Sequence, residues 1–301
     1  RYQTSGMYML PIGVVDVGTT SVRVVVFQTA ERALMQLYNE KAMCQLGAAL
    51  ETTGRIGRES FAEGLKVLRR FGLLLQKAGV TEVLAFATAV ARDAENGADF
   101  LARARLALGH PIAVLSGDQE ARLSALGVAC GVINPKGIVA DLGGGSLELC
   151  ELDGTAVGRR VSLPLGVLRL GTGQRDRAEV ERRITDALGQ VAWLTDTDTL
   201  YAVGGSWRNL ARWNIARTNH PIPVVHEHRL SAEAALALAE NIRRVDPAAL
   251  RTKAGISTKR GRMLPAAGLV LSGLIRRLSA GQVVCPSCAS RSKPVYASMP
   301  Q

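Results

Sequence analysis

Ile12-Gly13-Val14-Val15-Asp16-Val17-Gly18-Thr19-Thr20-Ser21 and Gly137-Ile138-Val139-Ala140-Asp141-Leu142-Gly143-Gly144-Gly145-Ser146 are two versions of one phrase, about a domain-length apart. Each is an apolar run that closes on Asp-x-Gly and small residues. Each leads into a second β-rich run, Val22 to Phe27 in one copy and Leu147 to Leu152 in the other. The pattern predicts a β-hairpin at the head of each half of the chain. Glycine lets backbone N–H groups turn toward an anion with no Cβ in the way, and hydroxyls add donors. A carboxylate at the strand end suits a divalent cation beside a phosphate. A third, shorter echo runs Leu200-Tyr201-Ala202-Val203-Gly204-Gly205-Ser206. Two such hairpins facing across a cleft would make a phosphate site between two domains.

The 301 residues suffice for two ordinary domains with a substantial core, and 47 % apolar with 21 % charged residues is a globular composition. A formal net charge of +11 favours a polyanionic partner. Nucleic acid is disfavoured, because the basic residues are scattered and only 4 % of residues are aromatic, leaving few stacking platforms. No stretch approaches a membrane span, and Arg1 to Pro11 lacks the apolar core of a signal peptide. Five cysteines without regular spacing do not form a disulfide framework, so the chain reads as cytoplasmic.

Strand-like runs at Ile12–Val15, Val22–Phe27, Val83–Ala87 and Ile112–Leu115 alternate with helical patterns. In Glu59–Ala78, Phe61, Leu65, Leu68, Phe71, Leu74 and Leu75 recur at helical spacing. Further helices are expected over Gly97–Leu108, Asp118–Gly127, Arg177–Leu194, Ser206–Trp213, Ala232–Arg244 and Gly261–Leu278. This alternation predicts an α/β fold of two similar lobes. The boundary is expected near Ala129 to Lys136, where Asn134-Pro135-Lys136-Gly137 breaks the periodicity, giving lobes 1–128 and 129–301.

Three constellations carry chemistry. Asp16 with Thr19, Thr20, Ser21 and Arg23 offers a metal ligand, hydroxyls and amides to a phosphate. In Thr88-Ala89-Val90-Ala91-Arg92-Asp93-Ala94-Glu95-Asn96-Gly97, Arg92 lies just beyond a strand end, placed to grip phosphate or to pair with Asp93 or Glu95. In Ser116-Gly117-Asp118-Gln119-Glu120-Ala121-Arg122, Glu120 sits near a helix start. There it is either a favourable first-turn acid or, facing a phosphate, a group that orients or deprotonates water.

Taken in order and spacing, these stretches resemble the exopolyphosphatase/guanosine pentaphosphate phosphatase family. So do Asp141-Leu142-Gly143-Gly144-Gly145-Ser146-Leu147-Glu148 and Gly204-Gly205-Ser206-Trp207-Arg208-Asn209-Leu210-Ala211. The resemblance covers Ile12 to about Tyr296 and is to the short, two-domain form. It implies two ribonuclease-H-like lobes of the actin-like ATPase superfamily with a phosphate cleft between them. It also implies processive release of terminal orthophosphate from inorganic polyphosphate. By the same resemblance Glu120 activates water, and Asp141 and Glu148 hold Mg²⁺ or the water, with Asp16 a further metal ligand. Thr19, Thr20, Ser21, Arg92, Gly143, Gly144, Gly145 and Ser146 would bind phosphates. The sibling activity, guanosine pentaphosphate hydrolysis with its place in the stringent response, and a non-catalytic polyphosphate or alarmone binder are the alternatives. A homodimer is a further implication.

The chain departs from the family pattern in places. Gln119 replaces the first of two acids before the Ala-Arg, Arg262 stands where an aspartate is usual, and Ala289-Ser290-Arg291-Ser292-Lys293-Pro294 lacks a glutamate. Cys285-Pro286-Ser287-Cys288 has no second cysteine pair to complete a zinc site. His226-Glu227-His228 is expected on a surface strand.

Overall fold

The computed structural model describes residues 11–30, 33–171 and 176–286. The chain divides between Leu115 and Ser116 into two compact units, each with its own mixed sheet.

In the first unit β1 (Ile12–Val17), β2 (Val22–Ala30), β3 (Ala33–Ala42), β4 (Glu82–Ala87) and β5 (Ala113–Val114) lie in the order β3-β2-β1-β4-β5. β1 to β3 form an antiparallel meander, and β4 and β5 extend it in parallel. The helices are α1 (Leu50–Thr53), α2 (Arg58–Lys77), α3 (Ala89–Asp93) and α4 (Gly97–Leu108). Val67, Leu68, Phe71 and Leu75 of α2 form the stripe that the periodicity predicts and share one core with Val15, Val24, Phe100 and Leu108. Gly72 lets α2 approach α4: a Cβ there would lie 2.3 Å from the Leu108 carbonyl oxygen.

The second unit repeats the plan. After α5 (Gly117–Ala129), the strands β6 (Lys136–Leu142), β7 (Leu147–Asp153) and β8 (Ala156–Leu163) form an antiparallel meander. Beyond α6 (Arg177–Gly189), strand β9 (Thr199–Val203) runs parallel to β6, and α7 (Gly205–Thr218) follows it directly. The chain continues through β10 (His228–Ser231), α8 (Ala232–Asn241), a 3₁₀ turn (Ile242–Arg244), α9 (Pro247–Ala254), α10 (Thr258–Gly261), α11 (Leu264–Arg277) and β11 (Gln282–Cys285). β11 is parallel to β9, so β8-β7-β6-β9-β11 matches β3-β2-β1-β4-β5 strand for strand, with β10 added at the edge. The two-lobe α/β reading is thus realised as one topology used twice.

Several boundaries differ from the sequence pattern for identifiable reasons. The division falls before α5, not after it, because Ala121, Ala125 and Val128 of α5 share a core with Val139, Cys150, Leu152 and Tyr201 of the second sheet. The Asn134–Gly137 break is therefore a turn inside the second unit, with Asn134 at φ 45°. The helix expected over Gly261–Leu278 begins at Leu264 as α11, and Gly261 instead ends the short α10. Pro265 occupies the first turn of α11, where its missing N–H is harmless but would break a continuing helix. The third echo, Leu200–Ser206, is a strand-to-helix turn that leads into the helix expected from Ser206.

The two Asp-x-Gly hairpins close with the same bond: Gly18 N–H donates to Ser21 O at 3.0 Å, and Gly143 N–H to Ser146 O at 2.9 Å. In each unit the segment after the third strand returns to tie the turn down. Gly47 N–H and Gln45 N–H donate to the carbonyls of Thr19 (3.0 Å) and Thr20 (2.8 Å). Val167 N–H and Leu168 N–H donate to those of Gly143 (3.1 Å) and Gly144 (2.9 Å). Gly166 makes the second return possible, since a Cβ there would lie 2.3 Å from the Gly144 oxygen. Gly166→Ala should therefore cost about 2–3 kcal/mol, lowering the melting temperature by roughly 5–10 °C. An unchanged melting curve would show that this return is not a structural tie.

Candidate functional site

In a trans peptide the carbonyl of one residue and the N–H of the next point in opposite directions. Tying down the carbonyls of Thr19 and Thr20 therefore aims the N–H groups of Thr20 and Ser21 away from Gln45–Gly47. Anchoring Gly143 and Gly144 does the same for the N–H groups of Gly144 and Gly145. Each turn thus presents successive amides on one side, the arrangement that cradles an anion. Thr19 is buried, and Thr20 and Ser21 are half-buried. In the second unit α7 adds its N-terminus. Gly204, at φ 116°, lies so close to Leu142 that a Cβ would sit 2.5 Å from the Leu142 oxygen. The positive end of this helix therefore abuts the end of β6.

The carboxylates divide the two copies. Asp16 stands directly opposite Arg23 in the β1–β2 register. Burial pushes the Arg23 guanidinium below its ordinary value, and the Asp16 charge pulls it back up. Arg23 Nε also donates to Asn39 Oδ1 at 2.9 Å. In the second unit the corresponding register sets Asp141 opposite Glu148, Glu148 opposite Ser162, and Asp141 beside Val203. Strand alternation puts this row on one face of the sheet, at the carboxyl end of β6. Two hydroxyls meet the two acids. Ser124 Oγ donates to Asp141 Oδ2 at 2.5 Å, and Ser162 Oγ to Glu148 Oε1 at 2.9 Å.

Glu120 belongs to the same face. It is 1 % exposed, like Glu148, with Asp141 at 6 %, so it is not the solvent-facing first-turn acid that a helix start alone would suggest. It lies four residues before Ser124, on the same side of α5. The helix start is pinned three ways. Ser116 and Gln119 form a reciprocal capping box, with Gln119 N–H donating to Ser116 Oγ at 3.2 Å and Ser116 N–H to Gln119 Oε1 at 2.8 Å. Asp118 and Arg160 of β8 pair through two contacts of 2.7 and 2.9 Å. Gly117 touches β8 so closely that a Cβ would lie 2.4 Å from Ser162 Cβ. Gln119, a departure from the family pattern, thus supplies the capping amide.

Other residues singled out from sequence find mixed surroundings. Arg92, on α3, donates from Nη1 to the Leu115 carbonyl at 2.7 Å, and its Nε lies 3.4 Å from Asp93 Oδ1. Arg262 is exposed in the break between α10 and α11. His228 is not on a surface strand: it is buried at the start of β10, 3.2 Å from Asn214 and edge-on to His220. Burial and the His220 charge lower its pKa. Cys285 is buried, which pushes its thiol up to about 12, while Cys288 and the Ala289–Pro294 departure lie outside the described residues. Ser124 and Ser162 were not singled out from sequence. Ser124 carried a signal in its i+4 spacing from Glu120, whereas Ser162 is identified only by strand register.

Among the described residues no three His, Cys, Asp or Glu side chains are grouped closely enough to hold a metal ion. The Asp141–Glu148 pair nevertheless fits Mg²⁺ in kind. That ion takes hard oxygen ligands, keeps several waters, and is commonly held by one or two carboxylates together with substrate phosphates. Asp16, the third expected ligand, belongs to the first unit. No helix among the described residues is long and apolar enough to cross a membrane.

The Ppx/GppA phosphatase family matches residues 25–301. Exopolyphosphatase 1 of Mycobacterium bovis and that of Mycobacterium tuberculosis are each 28 % identical over 291 residues, covering 91 % of this chain and 84 % of the relative. Among solved structures, an exopolyphosphatase from Cytophaga hutchinsonii has a TM-score of 0.87 at 22 % identity, covering 96 % of this chain and 97 % of that one. The Aquifex aeolicus Ppx/GppA family member has a TM-score of 0.77 at 22 % identity, covering 97 % of this chain and 99 % of that one. Such identities to solved structures speak for the fold, and the family match speaks for the chemistry. With that match running over nearly its whole length, the chain belongs to the Ppx/GppA phosphatase family and is a hydrolase.

Proposed function

We propose that the chain is an exopolyphosphatase that removes terminal orthophosphate from inorganic polyphosphate. The observation that carries this reading is Glu120, a buried carboxylate on the helix face that also meets Asp141. In this reading Glu120 accepts a proton from water as the water oxygen bonds to the terminal phosphorus. The bridging P–O bond breaks, and the chain leaves one phosphate shorter. Phosphoryl transfer demands chiefly in-line placement and neutralisation of charge on the phosphate oxygens. The Gly144 and Gly145 amides, with Ser146 and the α7 N-terminus, supply donors for those oxygens in the second unit. In the first unit the Thr20 and Ser21 amides, the Thr19–Ser21 hydroxyls and Arg92 are further phosphate-binding groups. Mg²⁺, held by Asp141 and Glu148, would supply Lewis-acid stabilisation of the phosphoryl oxygens.

The net charge of +11 favours a long polyanion over a nucleotide, and the Mycobacterium relatives carry the exopolyphosphatase name. Guanosine pentaphosphate is the second reading, because its terminal phosphate makes the same demands and the family name spans both activities. A binder without turnover would have no use for a buried Glu120.

Two outcomes test the proposal. Glu120→Gln keeps size and loses the base, so phosphate release should fall by about 10²–10⁴-fold while polyphosphate binding stays within roughly threefold; turnover at the wild-type rate would remove Glu120 from the mechanism. In initial-rate assays with Mg²⁺, kcat/KM should be higher for long-chain polyphosphate than for guanosine pentaphosphate, and EDTA should abolish both. The reverse order would assign the chain to the nucleotide.

A further inference from the structure

We propose that Ser124 is a positioning residue whose hydroxyl fixes the rotation of the Asp141 carboxylate, and through it the grip on the divalent cation. The inference rests on the reading of Asp141 as a cation ligand. Ser124 Oγ donates to Asp141 Oδ2 at 2.5 Å, and both side chains are buried, at 1 % and 6 % exposure. Packing alone does not call for a hydroxyl here. The neighbouring core positions on this side of α5 are Ala121, Ala125 and Val128, and an alanine at 124 would fill the same space. A serine inside a helix commonly bonds back to the carbonyl four residues earlier. This one reaches across the helix–sheet interface to a carboxylate.

Two physical consequences follow. The terminal torsion of an aspartate is broad and poorly restrained on its own, and a directed donor on one oxygen narrows it. A hydrogen bond to a carboxylate is also charge-assisted, so it holds more firmly than a neutral one. Because α5 carries Glu120 one turn earlier, the same bond sets the helix bearing the proposed base against the strand bearing the proposed ligand. Partners of this kind, one step removed from a metal, commonly change metal affinity or activity by about 10–100-fold when lost.

The test compares Ser124→Ala and Ser124→Thr with the wild-type chain. It reads kcat and KM on polyphosphate with Mg²⁺, the dissociation constant of Mn²⁺ from electron paramagnetic resonance of the free ion without substrate, and a thermal melt. Ser124→Ala should lower kcat about tenfold with KM unchanged and weaken Mn²⁺ by about tenfold. Its melting temperature should fall by only about 3–6 °C, the loss of one charge-assisted bond, and Ser124→Thr, which keeps the hydroxyl, should recover most of these losses. Values for Ser124→Ala within twofold of wild type overturn the proposal. Equal impairment of both variants with a lowered melting temperature also overturns it, since that is a packing effect, as does an absence of Mn²⁺ binding by the wild-type chain. A wild-type chain that binds Mn²⁺ but leaves polyphosphate intact would sink the exopolyphosphatase reading alone, and the Mn²⁺ constants would still decide the role of Ser124.

Discussion

The register of the β6–β7 hairpin is the constraint on which the site of the second unit depends. It sets Asp141 opposite Glu148 and carries the row on to Ser162 in β8. Side chains alternate across a strand, so a slip of one residue would send an acid to the far face and bring Ala140 or Leu149 in its place. The register is held by apolar neighbours in the same pattern, Val139 opposite Cys150 beneath the covering helix. Packing of the core and placement of the acids are therefore one decision. The first hairpin uses the equivalent register with a different outcome, an acid facing an arginine. That pair is self-compensating, whereas two acids side by side favour a partner of opposite charge.

The helix that covers the second row is built from small residues where it comes closest. Gly117 meets Ser162, and Ala121, Ser124 and Ala125 follow along the same side. Larger side chains would lift the helix from the sheet and carry Glu120 and the Ser124 hydroxyl out of reach. The capping box and the Asp118–Arg160 pair act at the other limit, holding the first turn down. The ion pair is partly exposed and contributes modestly by itself. The cap is worth about 1 kcal/mol. Their larger effect is on direction, because Glu120 sits in the turn that they fix.

Much of the plan was legible in the sequence because it is written in local terms. The two Asp-x-Gly phrases and the α2 stripe depend on residues close along the chain, and they stand in the structure as read. What escaped depends on long-range packing. The unit boundary lies before α5 because of which sheet the helix covers, and the breaker at Asn134–Gly137 records only a turn. Ser162 resembles any other strand serine until strand pairing sets it beside Glu148. Glu120 illustrates the same limit: an acid near a helix start has a good local explanation, and only its burial removes it.

Burial of Glu120, Asp141 and Glu148 within one unit carries a desolvation cost that polar partners must offset. Hydroxyls on Asp141 and Glu148 recover part of the lost hydration. A hydroxyl bond leaves a carboxylate its charge, and that suits it to hold a cation. The amides of the Gly143–Ser146 turn and the start of α7 lie at the same end of β6, adding positive potential without adding a mobile ion. A phosphoanhydride brings negative charge, which the turn can accept and the acids cannot. In the proposed reading a divalent cation suits both partners, since hard cations take carboxylate and phosphate oxygens alike. In that reading the acids and amides together suit a charged substrate better than a neutral one.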